Sequence, residues 1–407
     1  MNRHAILIFA LFLCTLTLRA QTERLAYSVQ GTVVDADNGK AIESALISIP
    51  GTNNATVSNA DGYFTIKSAE SISRIQVTLL GYKTAVCDIT SDVPLKVRLK
   101  PESFTLEGAT IISGNPLEIV RSAVRKIPSN YSDHPELLEC FYRETIRKKT
   151  RYTYISEAVA RMYKTDYDDG VSRDRTALEK SRVLISQKKS DTLSVKVQGG
   201  PAQAAYLDVV KNPDILFGNE AIARYTFSMD APAFINGRQQ FVIRFQPSPG
   251  KHDDALYFGT LYIDCEKLLF TRIEMSLDMS DIGKAIRRIV VRKPLTMKLV
   301  PKEMSIVVNY SDNGDMARLS YFRSVFRFNC DWKKRLFATS YTAVNELVVT
   351  DVRPEAIPIA RSDMFRTSDI LCDKASEFTD PDFWKDYNII EPTESLEHAV
   401  DRLRKSK

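Results

Sequence analysis

The residues able to do chemistry are poorly spaced for it. Past the first twenty residues the chain holds three histidines, His134, His252 and His398. They stand far apart, with no His-x-x-Glu or His-Glu-x-x-His pattern, so the ligand set of a hydrolytic or structural metal site is missing. Serine hydrolysis calls for a nucleophile elbow of the Gly-x-Ser-x-Gly kind, and the chain has none. It also lacks a Walker loop, a Gly-x-Gly-x-x-Gly turn and a Cys-x-x-Cys pair, which leaves nucleotide and redox chemistry without a motif. Carboxylates are plentiful, 51 in all, and several sit close in sequence: Asp166 with Asp168 and Asp169, Asp253 with Asp254, Asp380 with Asp382. Any two could in principle make a glycosidase pair, but in this context they read as solvated turns. Lys251–Asp254 follows Pro-Ser-Pro-Gly and reads as a hairpin loop. Asp35–Gly39 fails as a calcium loop, because Gly39 would fill its fifth position and Leu46 its twelfth. The sequence therefore predicts no catalytic, cofactor-binding or metal-binding residue.

The N-terminus speaks to compartment. Arg3 and His4 precede an apolar run from Ala5 to Leu18, and Leu18-Arg19-Ala20 then offers a small residue before Gln21. This is the layout of a secretory signal peptide cleaved between Ala20 and Gln21. About fourteen apolar residues fall short of the roughly 20 that a spanning helix needs. Cys14 raises lipidation as an alternative, but Leu11-Phe12-Leu13 before it supply no small residue. No later stretch is long and apolar enough for a transmembrane helix. Losing Arg3 and Arg19 with the leader takes the formal charge from +5 to +3, too mild to argue for nucleic acid. Composition is that of a globular chain, 44% hydrophobic and 26% charged. The cysteines beyond the leader, Cys87, Cys140, Cys265, Cys330 and Cys372, are odd in number and widely spaced. They read as buried thiols rather than a disulfide framework, with one opportunistic disulfide left open.

Short strands with turn signals fill the chain from Tyr27 to Lys100. Asn38-Gly39 and Asp61-Gly62 mark turns, and the spacing predicts about seven strands in a β-sandwich. The pattern Gly-x-Val-x-Asp, a turn, Ala-x-Ile-x-Ile-x-Gly-Thr, then Thr-x-Ser-x-x-Asp-Gly-x-Phe-x-Ile and a strand ending Leu-Gly-Tyr resembles the carboxypeptidase regulatory-like domain over residues 29–99. The resemblance implies a transthyretin-like seven-stranded sandwich. It implies no catalytic residue, because the module is an accessory to carboxypeptidases, and it is found at the N-termini of TonB-dependent outer-membrane receptors and other exported proteins of Gram-negative bacteria. Carboxypeptidase activity is not expected.

Residues 101–114 read as a linker and 115–379 as a second domain. Asn115 caps a helix whose Leu117, Val120, Val124 and Ile127 recur at helical spacing, ended by Pro128. Two strands meet near Lys148–Arg151, with a helix over 155–163 as the alternative. Residues 165–200 read as a long polar loop and Ala202–Val210 as a short helix. Asn236-Gly237 joins two strands. A further hairpin places Leu269, Thr271, Ile273, Met275, Leu277 and Met279 on one face. Residues 284–293, 298–311, 316–330 and 334–350 read as more strands. The expected architecture is mainly β, the sandwich followed by a curved antiparallel meander of about eight strands with a few helices. Tyr257–Glu274 resembles, more weakly, the half-barrels of periplasmic lipoprotein carriers. Residues 380–407 read as a helical segment with an aromatic cluster, Phe383, Trp384 and Tyr387, and a helix capped by Thr393.

Two functions fit. One is a non-catalytic envelope protein of the periplasm or outer membrane, holding an apolar ligand such as a lipid or docking an outer-membrane transporter. The other is a hydrolase acting on glycans or peptides. A carbohydrate-binding role through Tyr63 or Tyr82 is a third reading.

Overall fold

The computed structural model describes residues 27–405, apart from 92, 103–113, 189–198, 290–296, 313, 315, 333–337, 354–355 and 378–382. The predicted cleavage site at Ala20 and Gln21, Cys14, most of the predicted linker 101–114, and Asp380 with Asp382 fall outside the described residues.

The first seven strands are β1 (Tyr27–Asp35), β2 (Leu46–Ser48), β3 (Ala55–Val57), β4 (Tyr63–Ser68), β5 (Arg74–Thr78), β6 (Ala85–Asp88) and β7 (Leu95–Leu99). They form two sheets, β4-β1-β7 and β3-β2-β5-β6. Val33, Ala45, Ile47, Phe64, Ile66 and Ile75 close the core between them. This is the sandwich that the turn signals predict. In the first turn Asp35 Oδ1 accepts from the backbone N–H groups of Asp37 and Asn38 at 2.8 and 3.0 Å, an Asx turn rather than a metal loop. Gly62 has φ of 75°, and a Cβ there would lie 2.4 Å from the Val33 carbonyl oxygen.

Helix α1 (Pro116–Arg125) begins at Asn115, whose side chain accepts from the Leu117 N–H. The expectation that Pro128 ends it needs correcting. The helix breaks at Lys126, and Pro128 lies inside a further turn, α2 (Ile127–Asn130), because an early helical position costs a proline no hydrogen bond. Strands β8 (Glu136–Lys148) and β9 (Arg151–Lys164) follow as a hairpin. Strand β10 (Arg175–Ile185) overturns the expected loop over 165–200. Its Lys180 and Arg182 resemble loop residues in sequence but are held by Phe383 of the chain terminus and by Glu157. Next come α3 (Gly200–Tyr206), which starts and stops earlier than expected, and α4 (Asn219–Ile222).

The meander continues through β11 (Tyr225–Ile235), β12 (Arg238–Pro247), β13 (Tyr257–Asp264) and β14 (Phe270–Leu277). A bulge between β13 and β14 sets Phe270 opposite Ile263, so Phe270 joins Ile273 in the core where strict alternation points to Thr271. Residues 284–289, expected to be strand, instead belong to helix α5 (Ile282–Ile289). There Ala285 is buried while Arg287 and Arg288 are exposed, a 3.6-residue period that short apolar runs conceal. Strands β15 (Met297–Asp312), β16 (Ala317–Trp332) and β17 (Thr339–Arg353) complete the sheet, then a two-residue strand β18 (Ser376–Glu377) and α6 (Glu394–Arg404), capped by Thr393.

The large sheet runs β11-β12-β13-β14-β15-β16-β17-β8-β9-β10-β18. Ten strands are antiparallel, and β18 adds to β10 in parallel. Bulges at several registers, among them Asp230/Ala233 and Val349/Asp351, bend the strands. One face carries α1 to α5 over a core containing Leu138, Tyr142, Met162, Leu261 and Phe322. The opposite face carries the sandwich and the chain terminus over Phe141, Val159, Tyr321 and Val348. Helix α6 packs on Ile155 and Leu184. Because β8 and β9 are covered on both faces, they are buried nearly throughout.

Gly62→Ala is expected to destabilise the protein by about 1–3 kcal/mol, since the added Cβ meets the strain of a positive φ as well as the Val33 carbonyl. Denaturant unfolding checks it against Gly39→Ala, which has positive φ but open space at the Cβ.

Candidate functional site

Two-sided burial forces the charges of β8, β9 and β10 inward, and each must find a partner or lose its charge. Three places result. On the sandwich side Glu157 is buried. Arg143 Nη2 reaches its Oε1 at 2.6 Å and Arg182 Nη2 its Oε2 at 2.7 Å. Trp384 Nε1 donates to the same Oε2 at 3.1 Å. Burial alone would raise this carboxyl, but Arg143 and Arg182 outweigh it and hold it below the usual carboxylate range. Arg182 also lies over the Trp384 ring, 5.0 Å from its centre.

This clasp holds residues 383–393 against the sheet, and the same residues hold the sandwich. Lys67 Nζ donates to the carbonyls of Trp384, Lys385 and Tyr387 at 2.9, 3.2 and 3.0 Å. The Asn388 side chain accepts from the Lys67 N–H at 2.7 Å and donates to the Lys67 carbonyl at 3.0 Å, so an amide stands in for a further strand along the free edge of β4. Thr56 Oγ1 donates to Ile389 O at 2.8 Å, and Arg143 Nη2 to Ile390 O at 2.7 Å. Directly between sandwich and sheet, Ser44 Oγ and Tyr321 OH are 3.0 Å apart, and Asn53 Nδ2 donates to Val352 O at 2.9 Å. Crevices of about 60 and about 20 Å³ remain along this seam, room for a few waters.

On the helix side lies a closed quartet. Lys164 Nζ meets Asp208 Oδ2 at 2.7 Å and Asp174 Oδ2 at 3.5 Å, and Lys211 Nζ meets Asp174 Oδ1 at 2.7 Å. The Tyr167 and Tyr310 hydroxyls donate to Asp208 at 3.1 and 2.9 Å. Two positive and two negative charges balance, which fits pinning of the 207–212 loop to β9.

The third place differs. Glu144 is 1% exposed, and its Oε2 accepts from the Tyr142 hydroxyl at 3.1 Å. No cation moves its pKa. Burial pushes it up to about 7, with Tyr154 and Tyr142 pulling back. The Tyr154 hydroxyl is close enough for that influence yet has no partner in bonding geometry, and neither has Asn345 Oδ1. Asn345 faces Glu144 across β17, and Ser324 faces Asn345 across β16. Sequence reasoning missed this residue and Glu157. The signal was present: Leu138, Cys140, Tyr142, Glu144 and Ile146 share a period-two face with one charge in it, as do Ile155, Glu157 and Val159.

The residues weighed from sequence stay apart. Asp166 caps a short turn, and Asp169 pairs with Arg173 at 3.2 Å. Asp253 and Asp254 are exposed. His134 and His398 pair with carboxylates of their own segments, Asp133 and Glu394, and His252 Nε2 lies 2.8 Å from Ser248 O. Among the described residues no group of His, Cys, Asp and Glu is placed to hold a metal. None of Cys87, Cys140, Cys265, Cys330 and Cys372 forms a disulfide. Burial and then the charges of Asp351 and Glu179 push Glu139 up to about 7, but Glu179 and Asp351 have their own arginines, Arg161 and Arg353. Tyr82 donates to Asp35 Oδ2 at 2.9 Å, and Tyr63 is half-buried. Among the described residues no helix is long and apolar enough to cross a membrane.

Residues 29–111 match the family model of the CarboxypepD_reg-like domain, about a fifth of the chain. No curated protein matches it. Among solved structures, the chain is similar to a domain described as an outer membrane lipoprotein-sorting protein from Vibrio parahaemolyticus, at 12% identity and TM-score 0.26 over 61% of this chain and 95% of that one. It is also similar to a DUF1329 family protein from Desulfovibrio piger, at 10% identity and TM-score 0.25 over 61% and 97%. A LolA superfamily protein from Nitrosomonas europaea matches at 10% identity and TM-score 0.22 over 60% and 96%. Likenesses this distant carry no argument about function.

Arg143→Met is expected to cost about 3 kcal/mol or more in denaturant unfolding, because it strips a buried carboxylate of one of its two cations. Glu144 has the opposite sign. A carboxyl raised to about 7 in the folded protein, from 4.5, supports the fold fully below pH 4.5 and loses that contribution as pH rises through 7. Glu144→Gln is therefore expected to gain up to about 3 kcal/mol on the wild type between pH 4.5 and 8. Thermal unfolding of both proteins across that range checks it; parallel curves would refute it.

Proposed function

We propose that the chain is a non-catalytic binding protein of the bacterial cell envelope, exported after cleavage between Ala20 and Gln21. The observation that supports this reading best is the seam. The sandwich packs directly on the sheet. Leu46 and Val57 share a core with Tyr321, Val348, Trp384 and Ile390, and the terminal segment is bonded to both bodies. Such a weld presents one composite surface to a second envelope protein, and an outer-membrane transporter is the proposed partner for the sandwich. A small apolar ligand, held on the sheet beyond the reach of helices α1 to α5, is the second part of the proposal. The domain division at 101–114 belongs to the same proposal. The match to an accessory module is in keeping with binding, and hydrolysis finds no support beyond Glu139, whose carboxylate neighbours are held by arginines.

The test is recovery of the protein from its own envelope fraction, N-terminal sequencing, and native mass spectrometry after mild crosslinking. The expected result is a chain beginning at Gln21, in complex with a transporter or carrying a small amphiphile. An intact leader in a cytosolic fraction, or turnover of glycan or peptide substrates by the purified protein, would overturn the reading.

A further inference from the structure

The Glu144 carboxyl is the one of the three buried charge sites described above that no cation balances. The row it stands in crosses four adjacent strands in register: Ser324 on β16, Asn345 on β17, Glu144 on β8 and Ser156 on β9. On its helix-bearing side stand Tyr142 and Leu347 of the main core. On its other side begins a separate apolar floor of Ile146, Phe328, Tyr341 and Ala343, with Phe326 stacked on Phe328 at 4.6 Å between ring centres. Asn345, Phe326 and Met304 are half-buried there, so the row reaches the surface beside the floor. Two polar atoms at or beside this row are buried and unpartnered: Asn345 Oδ1, an acceptor, and, one register step away opposite Ile146, the hydroxyl of Tyr154, itself 9% exposed. A native interior satisfies such atoms with protein or with a bound molecule.

The Tyr154 hydroxyl can donate to only one acceptor, so the demand it leaves is for a further donor and, once Glu144 is ionised, for positive charge. Asn345 Oδ1 and the carboxylate both accept, and Asn345 Nδ2 is already given to Ser324 Oγ at 3.2 Å. We propose that this row binds a primary ammonium group carried on an apolar body, the ammonium donating to Glu144 and Asn345 Oδ1 and the body lying on the Phe326–Phe328 floor. An anionic headgroup is excluded by Glu144, and a neutral alcohol leaves the carboxylate unbalanced. The inference rests on the reading of the chain as a binding protein and supplies the chemistry of its small ligand.

The experiment is calorimetric titration of the full mature chain at pH 8 with dodecylamine, dodecanol and dodecanoate below their aggregation limits. Dodecylamine is expected to bind at least tenfold tighter than dodecanol, with no binding of dodecanoate. Glu144→Gln should remove that preference while leaving dodecanol binding unchanged, and Asn345→Leu should weaken the amine alone by a smaller factor. Equal binding of all three, or an amine preference that survives both substitutions, would show only apolar adhesion and overturn the site. No binding at all would leave buried water as the partner of these atoms and likewise overturn it. Neither failure touches transporter docking, which the crosslinking above reads separately.

Discussion

The carboxylate of Glu157 is the interaction on which the arrangement of this molecule depends. It is buried where strand, sandwich and terminal segment meet, and alone it could not stay ionised there. Arg143 and Arg182 from the neighbouring strands on either side balance it, and Trp384 from the far end of the chain adds a hydrogen bond. Once Trp384 is fixed, the carbonyls of Trp384, Lys385 and Tyr387 converge on Lys67 of the sandwich. One ionic centre thus links the sandwich, the sheet and the terminal segment around Trp384. Breaking such a centre costs far more than its net worth, because the surviving charges are left in a medium that cannot solvate them.

The same rule organises the helix side. Lys164, Lys211, Asp174 and Asp208 balance one another, and the Tyr167 and Tyr310 hydroxyls donate to Asp208. Charges buried in matched numbers locate loops. A charge buried without a match is a different kind of object, and Glu144 is of that kind. The contrast between the balanced quartet and the unbalanced carboxyl, within a few strands of each other, separates a structural use of burial from a binding use.

Covering a long antiparallel sheet on both faces explains how the chain differs from a simple open meander. Helices of its own chain fill one side and an accessory sandwich the other. The sandwich hides its free β4 edge under Asn388 and shares apolar area with the sheet, so two bodies of separate sequence character behave as one.

The sequence alone determined the local grammar. Asn38-Gly39, Asp61-Gly62 and Asn236-Gly237 had to be turns, since their backbone angles exclude most other residues. Period-two runs between them had to be strands, and Asn115-Pro116 and Thr393 had to open helices. Tertiary structure decided what depends on partners distant in sequence. Arg175–Ile185 looks like a polar loop because its Lys180 and Arg182 are satisfied by Phe383, Trp384 and Glu157, contacts that no local pattern contains. Lys284–Ile289 shows the same limit, its apolar residues serving strand and helix periods alike until packing chose. Whether a buried carboxyl is balanced, as at Glu157, or left open, as at Glu144, depends on which cations the fold brings within a few ångströms, and spacing along the chain does not encode that distance.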